Sequence, residues 1–150
     1  MKEIFGDLFE QKDTDAICIT TNGNVKKTNG EAIMGKGCAL EANRRWNCAE
    51  NLGESIKKYG NVVNFILYVV PYEVLSFPVK HNWWEKADLK LIKESAVELV
   101  KRTELYNWKK VVLPRPGCGA GGLDWETEVK PVLKPILDDR FYVITLKKKS

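Results

Sequence analysis

The sequence predicts a three-layer α/β/α fold, in which a mixed, mostly parallel central sheet carries helices on both faces. Apolar, β-branched segments of strand length alternate along the chain with segments whose apolar residues recur at helical spacing. Strands separated by helices form sheets that are covered on both sides. Two glycine clusters, at 23–37 and 117–122, each follow a predicted strand and precede a predicted helix. Ligands of α/β sheets bind at such strand ends.

The predicted strands are short and apolar. The strongest is 16–21, Ala-Ile-Cys-Ile-Thr-Thr, which is apolar on both faces as a buried parallel strand requires. A continuous apolar run at 62–70 predicts a second buried strand. The remaining strands are expected at 2–5, 74–77, 109–113 and 141–146, and the strand at 109–113 should stop at Pro114.

Three helices follow from apolar periodicity. The first is predicted over 37–46. Asp88 can cap a second, whose apolar positions are Leu89, Ile92, Ala96, Leu99 and Val100. A third is expected over 124–137, and Pro131 and Pro135 predict a kink in it because proline cannot donate the helical hydrogen bond.

Length and charge exclude several classes of protein. The 150 residues suit one domain over 1–150, and we expect 147–150 to be a frayed basic tail. The net charge of +4 is mild, and the clustered basic face of a dedicated duplex-DNA binder is not evident, but the charge does not exclude nucleic acid and slightly favours anionic ligands. The longest apolar run, 65–71, cannot span a bilayer. Without a secretory leader we expect a cytoplasmic monomer with reduced thiols at Cys18, Cys38, Cys48 and Cys118.

The first glycine cluster ends in Gly35-Lys36-Gly37, at the start of the predicted helix 37–46. A helix N-terminus offers free N–H groups to an anion, and Lys36 adds positive charge. The spacing of a Walker phosphate-binding loop is absent. Alone, this segment fits an ordinary loop as well as a ligand site.

The second glycine cluster, Gly117-Cys118-Gly119-Ala120-Gly121-Gly122, follows the strand that stops at Pro114. So many glycines cost backbone entropy, which we take to mean that they serve a ligand and not packing. Main-chain N–H groups of such a loop wrap phosphates well. The alternative is a flexible linker, but Leu123-Asp124-Trp125 directly afterwards is typical of a docked helix start.

In their order along the chain, these motifs resemble the macrodomain family, and the likeness covers nearly the whole sequence. It is carried by Gly6-Asp7-Leu8-Phe9, Asp15-Ala16-Ile17, Asn22, Met34-Gly35-Lys36-Gly37, Gly117-Cys118-Gly119 and Gly122-Leu123-Asp124-Trp125. Within the family, the loops are most similar to a branch of ADP-ribosyl glycohydrolases. That branch includes the human terminal ADP-ribose protein glycohydrolase and a bacterial antitoxin acting on modified DNA.

The resemblance implies an ADP-ribose site. Asp7 would accept the hydrogen bond of the adenine amino group, and Asn22 would contact the distal ribose. The two glycine loops would hold the distal ribose and the diphosphate. The implied ligand-binding residues are Asp7, Leu8, Asn22, Met34, Gly35, Lys36, Gly37, Cys38, Gly117, Cys118, Gly119, Ala120, Gly121, Gly122 and Leu123. No cofactor and no metal is implied.

Lys80 matches the lysine that this branch uses at the distal ribose. A lysine amine can attack an anomeric carbon, with a Schiff base available once the sugar opens. The resemblance therefore implies Lys80, Asn22 and Asp124 as catalytic residues. Two positions depart from the family pattern, because Ile19 replaces an asparagine and Ala120 stands where the human enzyme has its catalytic aspartate. The acid partner of Lys80 is then Glu31, Asp124 or none.

Other residues have simpler interpretations. We expect His81, the only histidine, to be a surface or hydrogen-bonded neighbour of the site. Trp83 and Trp84 can stack on a base, but we favour packing. Cys118 is expected to be a packed thiol. The stretch 23–33 is longer than in relatives and can form a lid or add a substrate contact.

Four functions remain open from the sequence. The first is hydrolysis of ADP-ribosyl linkages on a protein or nucleic acid, and the second is binding alone, as a reader of ADP-ribose. The third is removal of phosphate from ADP-ribose 1″-phosphate or of acyl groups from O-acyl-ADP-ribose. The fourth is an unrelated nucleotide-binding module. The expected partner is ADP-ribose or an ADP-ribosylated macromolecule, with modified nucleic acid as one substrate and no membrane.

Overall fold

The computed structural model describes residues 1–146, in which one six-stranded sheet runs through the middle. In chain order the strands are β1 (Lys2–Phe5), β2 (Ala16–Thr21), β3 (Phe65–Val69), β4 (Tyr72–Pro78), β5 (Val111–Pro114) and β6 (Phe141–Thr145). Across the sheet their order is β1-β6-β5-β2-β4-β3. Only the β3–β4 pair is antiparallel. The predicted mixed, mostly parallel sheet is confirmed.

Helices cover both faces of the sheet, as predicted. They are α1 (Gly37–Trp46), α2 (Ala49–Tyr59), α3 (Leu89–Leu105) and the short α4 (Lys130–Leu133). Side chains of β2 alternate between two apolar clusters: Cys18 packs into the cluster that contains α3 and α4, and Ile17 packs into the cluster that contains α1 and α2. This alternation is the period of two expected of a strand buried on both faces. None of the described helices is long and apolar enough to cross a bilayer.

The predicted strand at 62–70 begins late, at Phe65. The N–H of Val63 donates to Glu98 Oε2 at 3.2 Å, and the N–H of Asn64 donates to Ser76 Oγ at 2.9 Å. The strand at 109–113 begins late for the same reason, because the N–H groups of Lys109 and Lys110 donate to Asp15 Oδ2. In both places a side chain takes the donors that a sheet partner would have used.

The predicted helix over 124–137 is wrong in its form. A π-helical turn at Trp125–Val129 leads into α4, which ends at Leu133. Pro135 lacks the N–H that would continue the helix, so the helix ends before it instead of continuing with a kink. The helix α2 has no counterpart among the predicted elements, although Ala49, Leu52, Ile56 and Tyr59 recur at helical spacing. The basic tail at 147–150 lies outside the described residues.

Candidate functional site

Two adjoining cavities lie at the edge of the sheet where the parallel strands β2, β4 and β5 end. The larger, of about 740 Å³, is lined by Asp7 and is called the Asp7 cavity here. The smaller, of about 530 Å³, is lined by Lys80 and is called the Lys80 cavity. They share a wall formed by Gly37, Cys38, Pro114, Arg115 and Gly119. The prediction that both glycine clusters meet at one place is confirmed.

Asp7 supplies a hydrogen-bond acceptor to its cavity. The carboxylate follows β1, and its Oδ1 accepts from the N–H of Phe9 at 2.9 Å, which caps a short 3₁₀ turn at Leu8–Glu10. Its Oδ2 has no partner among residues 1–146. The ring of Phe9 lies beside it, held between Trp46 at 5.5 Å and the Arg45 guanidinium at 4.7 Å. An acceptor next to an apolar wall suits a planar base that carries an amino group.

The glycine loop after β5 owes two of its glycines to packing. A Cβ on Gly117 would lie 2.9 Å from Ala87 Cβ and from Ile92 Cδ1, and the φ of +75° also favours glycine. A Cβ on Gly121 would lie 2.8 Å from the same Ala87 carbon. The prediction that these glycines do not serve packing is therefore wrong for Gly117 and Gly121, although both also line the Lys80 cavity. Gly119 differs, because a Cβ there would meet open space.

The same loop presents a run of unpaired donors. Its carbonyls are used, because Gly117 O accepts from Leu123 N at 2.9 Å and Gly121 O accepts from Ala87 N at 2.9 Å. The N–H groups of Gly119, Ala120 and Gly121 find no acceptor within the described part of the chain. All three residues line the Lys80 cavity. Successive N–H groups of this kind form a cradle for anionic oxygens.

The N-terminus of α1 faces this loop from the other side of the shared wall. Lys36 is its N-cap residue and makes no side-chain capping bond. The N–H groups of the first turn, at Gly37, Cys38 and Ala39, have no acceptor within residues 1–146. These donors and the positive end of the helix dipole favour a negatively charged group. Donors therefore line both sides of the junction between the cavities.

Arg115 is a site residue that sequence reasoning missed. It lines both cavities, and its Cζ lies 5.4 Å from the ring of Trp125. Its Nη2 is 3.7 Å from Glu3 Oε1, while Lys130 binds the other oxygen of Glu3 at 2.7 Å. That lysine holds the pKa of Glu3 below its usual range. The guanidinium thus lies against Glu3 and Trp125 on the side of the Asp7 cavity, and the position of Arg115 just before the glycine loop was the available signal.

Lys80 follows β4 and is half-buried in its cavity. Its Nζ lies 3.4 Å from the carbonyl oxygens of both Trp83 and Ala120. The carbonyl of Lys80 itself accepts from Asn61 Nδ2 at 2.9 Å, which fixes the backbone beneath the amine. The described residues that line this cavity include no carboxylate.

The other two predicted catalytic residues have structural duties. Asn22 lines the Lys80 cavity, but its Nδ2 donates to Ile33 O at 3.1 Å and its Oδ1 accepts from Asn24 N at 2.9 Å. Its side chain therefore closes the base of the insertion at 23–33.

Asp124 lines the Asp7 cavity and not the Lys80 cavity. Its Oδ2 accepts from the N–H and the hydroxyl of Thr127, and these bonds lower the pKa of Asp124. Glu31, the other candidate acid, accepts from Asn29 Nδ2 at 2.7 Å and lines neither cavity. The structure does not bring either carboxylate together with Lys80.

The remaining predicted ligand-binding residues divide into two groups. Met34 is buried in the core and Gly122 is exposed beside Lys86, and neither lines a cavity. The others do line the cleft. They are Leu8, Gly35, Lys36, Gly37, Cys38, Gly117, Cys118, Gly119, Ala120, Gly121 and Leu123. Within residues 1–146, no group of His, Cys, Asp and Glu side chains is arranged to hold a metal ion.

Burial keeps both cleft cysteines as thiols. It raises the pKa of Cys118 to about 11, and the Cys118 Sγ contacts Pro116 O at 3.4 Å. Burial also raises the pKa of Cys38, whose Sγ lies 3.2 Å from Thr20 Oγ1. A protonated thiol is a poor nucleophile. Cys118 is partly buried and packs against the core, which agrees with its interpretation as a packed residue.

His81 and the two tryptophans differ in how well they were predicted. His81 Nε2 lies 2.8 Å from Asp88 Oδ2 on the surface, so the interpretation as a hydrogen-bonded neighbour is confirmed. The prediction that the two tryptophans pack into the protein is wrong, because Trp83 is 45% exposed and Trp84 is 64% exposed. Trp83 also lines the Lys80 cavity.

The insertion at 23–33 is docked and is not a free lid. The N–H of Ala32 donates to Ala49 O at 2.8 Å at the start of α2. The carbonyl of Gly30 presses against Gly53 of α2, at a point where a Cβ on Gly53 would overlap that oxygen. The N–H of Gly23 donates to His81 O at 3.1 Å, so the insertion also joins the loop after Lys80.

Comparison with known proteins identifies relatives of this chain. No protein-family model matches the chain. Two curated proteins, from Mycobacterium tuberculosis and Mycobacterium bovis, are each named DNA ADP-ribosyl glycohydrolase. Each is 32% identical to this chain over 128 residues, which is 81% of the chain and 34% of the relative. The chain therefore spans about a third of the length of the curated relatives that it matches.

Solved structures agree over the full chain. The macrodomain of Mycobacterium tuberculosis DarG matches with a TM-score of 0.75 and 29% identity, covering 99% of this chain and 100% of that one. The macrodomain of Thermus aquaticus DarG matches with a TM-score of 0.76 and 24% identity, over 98% and 97% of the two chains. Thermosipho africanus DarTG, in complex with ADP-ribose, shares the fold with a TM-score of 0.75 and 19% identity, over 100% of this chain and 43% of that one.

Proposed function

The chain belongs to the macrodomain family, and from that premise we propose that it binds ADP-ribose and hydrolyses ADP-ribosyl linkages on a protein or nucleic acid. One observation carries the proposal. Main-chain donors at Gly37–Ala39 and Gly119–Gly121, which have no acceptor among residues 1–146, line the junction between two cavities. One cavity has the Asp7 Oδ2 atom, which likewise has no partner among these residues, and the other has the Lys80 amine. A nucleoside diphosphate linked to a second sugar matches this order, with its base at the carboxylate, its diphosphate at the main-chain donors and its second sugar at the amine.

The adenosine half occupies the Asp7 cavity in this proposal. Asp7 Oδ2 accepts from the adenine amino group, and Phe9 offers the ring an apolar surface. The diphosphate crosses the shared wall, where the two sets of N–H groups and the Arg115 guanidinium neutralise its charge. The distal ribose then lies in the Lys80 cavity, with its anomeric carbon towards the amine.

Lys80 supplies the nucleophile. Its neutral amine attacks the anomeric carbon, a C–N bond forms, and the bond from that carbon to the carrier breaks. The electron pair leaves with the carrier, which gains a proton from water, while the attacking nitrogen loses one. Opening of the ribose ring gives a Schiff base, which water hydrolyses to release ADP-ribose and to restore the amine.

The absence of a carboxylate from the described lining of the Lys80 cavity shapes this mechanism. No acidic side chain is at hand to protonate the leaving group, so water fills that role. We therefore expect a slow enzyme that favours carriers which leave readily.

The first test separates binding from chemistry. Calorimetric titration with ADP-ribose should give micromolar affinity, with AMP and ADP much weaker. Lys80→Ala should lower turnover of an ADP-ribosylated oligonucleotide at least about 100-fold and change ADP-ribose affinity less than about threefold. Lys101→Ala, on the exposed face of α3, is the matched control and should leave both unchanged.

Borohydride reduction followed by mass spectrometry tests the covalent step. Trapping during turnover should add ADP-ribose to Lys80 and leave the Lys80→Ala variant unmodified. Full turnover by Lys80→Ala would disprove this mechanism. Absence of ADP-ribose binding by the unaltered chain would disprove the proposed function as a whole.

A reader that binds ADP-ribose without turnover is the second candidate. The carboxylate-free lining of the Lys80 cavity and the structural duties of Asn22 and Asp124 favour it. Micromolar binding with no release of ADP-ribose from modified DNA, modified protein or ADP-ribose 1″-phosphate would identify the chain as a reader.

A further inference from the structure

We propose that Trp83 and Trp84 form a stacking platform for bases of single-stranded nucleic acid whose modified nucleotide has its ADP-ribose in the cleft. The proposal rests on the proposed function and specifies the substrate class. It begins from exposure, since Trp83 is 45% exposed and Trp84 is 64% exposed. Adjacent large aromatic rings kept in water mark a surface that binds something.

The ring geometry leaves faces available for stacking. The two ring centroids are 5.8 Å apart and the planes meet at 89°, so the edge of one ring contacts the face of the other. This arrangement leaves both faces of one ring free of its partner. Bases stack on such faces with little dependence on sequence, because every base has a π-face.

The loop that carries the rings is held in place. The N–H of Trp83 donates to Asn24 Oδ1 at 2.6 Å, and Asn24 Nδ2 donates to Asn82 Oδ1 at 2.9 Å. Asn82 Nδ2 in turn donates to Glu85 Oε1 at 2.8 Å. Two loops far apart in sequence thus form one rim, and a platform fixed in advance loses less entropy when it binds.

The platform stands where a carrier must leave the cleft. Trp83 lines the Lys80 cavity, and its carbonyl oxygen is 3.4 Å from Lys80 Nζ. If the anomeric carbon of the distal ribose lies at that amine, the group bonded to it emerges beside Trp83. A base attached there, or its neighbour in the strand, meets the exposed rings first.

Charge around the rim favours a phosphodiester chain over an uncharged partner. Lys36 and Lys80 line the cavity, Lys86 follows the two tryptophans in sequence, and Lys26 and Lys27 belong to the insertion that holds the tryptophan loop through Asn24. The acidic side chains of the same two segments, 22–37 and 79–88, are Glu31, Glu85 and Asp88, so five lysines stand against three carboxylates. An excess of cations next to stacking rings is the usual composition of a single-strand binding surface.

Fluorescence anisotropy with a labelled single-stranded DNA of about ten nucleotides, carrying one ADP-ribosylated base, tests the platform. Trp84→Ala and Trp83→Ala should each weaken binding of the strand about tenfold. For Trp84→Ala, whose ring does not line the Lys80 cavity, ADP-ribose affinity by calorimetry should stay within about twofold. Tyr68→Ala removes an exposed ring from β3 at the end of the sheet opposite the cleft, and it should change neither value.

Each outcome decides the proposal. If the modified strand binds no tighter than free ADP-ribose, or if Trp84→Ala and Trp83→Ala bind it like the unaltered chain, the platform is disproved. A loss confined to an ADP-ribosylated protein substrate would assign the rings to a protein partner and overturn the proposal equally. In both cases the proposed function stands if the unaltered chain binds ADP-ribose. Absence of ADP-ribose binding by the unaltered chain would refute the proposed function itself. A modified RNA strand of the same sequence, measured beside the DNA strand, shows whether the platform favours single-stranded DNA or single-stranded RNA.

Discussion

The two cavities of the cleft share one wall and differ sharply in charge. The described lining of the Asp7 cavity carries the carboxylates of Asp7, Glu41 and Asp124, whereas the lining of the Lys80 cavity carries none and has Lys36 and Lys80 instead. Carboxylates are useful where a neutral base offers donors, and they would repel a diphosphate or hold an amine in its charged form. In the proposed function, recognition and chemistry would thus lie on opposite sides of a glycine-rich wall whose one charged member among the described residues is Arg115.

Gly119→Asp should have the largest effect on binding, because it places a negative charge on the wall that the two cavities share. A Cβ at this position meets open space, so the fold should tolerate the change. Repulsion of the diphosphate should weaken ADP-ribose binding about 100-fold, or about 2.7 kcal/mol, in calorimetry. Gly119→Ala is the matched control and should bind nearly normally. An Asp variant that binds as well as the Ala variant would show that the diphosphate does not cross here.

Gly117→Ala should instead damage both cavities together through stability. The new methyl group would lie 2.9 Å from Ala87 Cβ and Ile92 Cδ1, at a φ of +75°. Strain and overpacking should lower the free energy of unfolding by about 2 kcal/mol, measured by urea denaturation. Gly35→Ala lies in open space and should cost little. Equal midpoints for the two variants would contradict the packing role of Gly117.

Asp7→Asn should distinguish the two cavities, because it changes the Asp7 cavity and leaves the Lys80 cavity unaltered. Asparagine Oδ1 can still accept from the N–H of Phe9, but its amide then presents a donor to the adenine amino group. ADP-ribose affinity should fall about tenfold, or about 1.4 kcal/mol, while binding of ribose 5-phosphate is unchanged. An unaltered ADP-ribose affinity would place adenine elsewhere.

Glu3→Gln should have the smallest effect, seen only in acid. Lys130 lowers the folded-state pKa of Glu3, so this pair stabilises the chain above the ordinary glutamate pKa and the contribution is lost as the pH falls below it. Because both side chains are partly exposed to solvent, which screens their attraction, the contribution should be small. The measurement is the urea midpoint at about pH 7 and at about pH 3. The fall in midpoint between these two pH values should be smaller for Glu3→Gln than for the unaltered chain. An equal fall in both proteins would contradict the role of the pair.

Patterns that depend on local chemistry were predictable from the sequence. The continuous apolar run of β2 and the helical spacing after Asp88 gave the correct elements, and Asp88 caps α3 as expected through the N–H of Lys90. The convergence of the glycine loops followed from strand direction alone, because parallel strands end at the same edge of the sheet. These features need no knowledge of distant contacts.

Features that depend on distant contacts were not predictable. Nothing near Gly117 in the sequence indicates that Ala87 and Ile92 occupy the space a side chain would need. The separation of Asp124 from Lys80 likewise depends on which cavity each loop enters. The missed helix α2 is a different case, since its apolar spacing was present and only its polar neighbours obscured it.

The contact between Gly53 and the Gly30 carbonyl has a consequence for protein engineering. The insertion at 23–33 is fitted to one glycine on α2, so it is not a portable loop. Transplanted alone into a macrodomain with any larger residue at that helical position, it would be displaced and would take the rim at Asn24 out of register. A chimaera that preserves the rim must import the loop and the helix as a pair, and amide hydrogen exchange should report them as one cooperative unit.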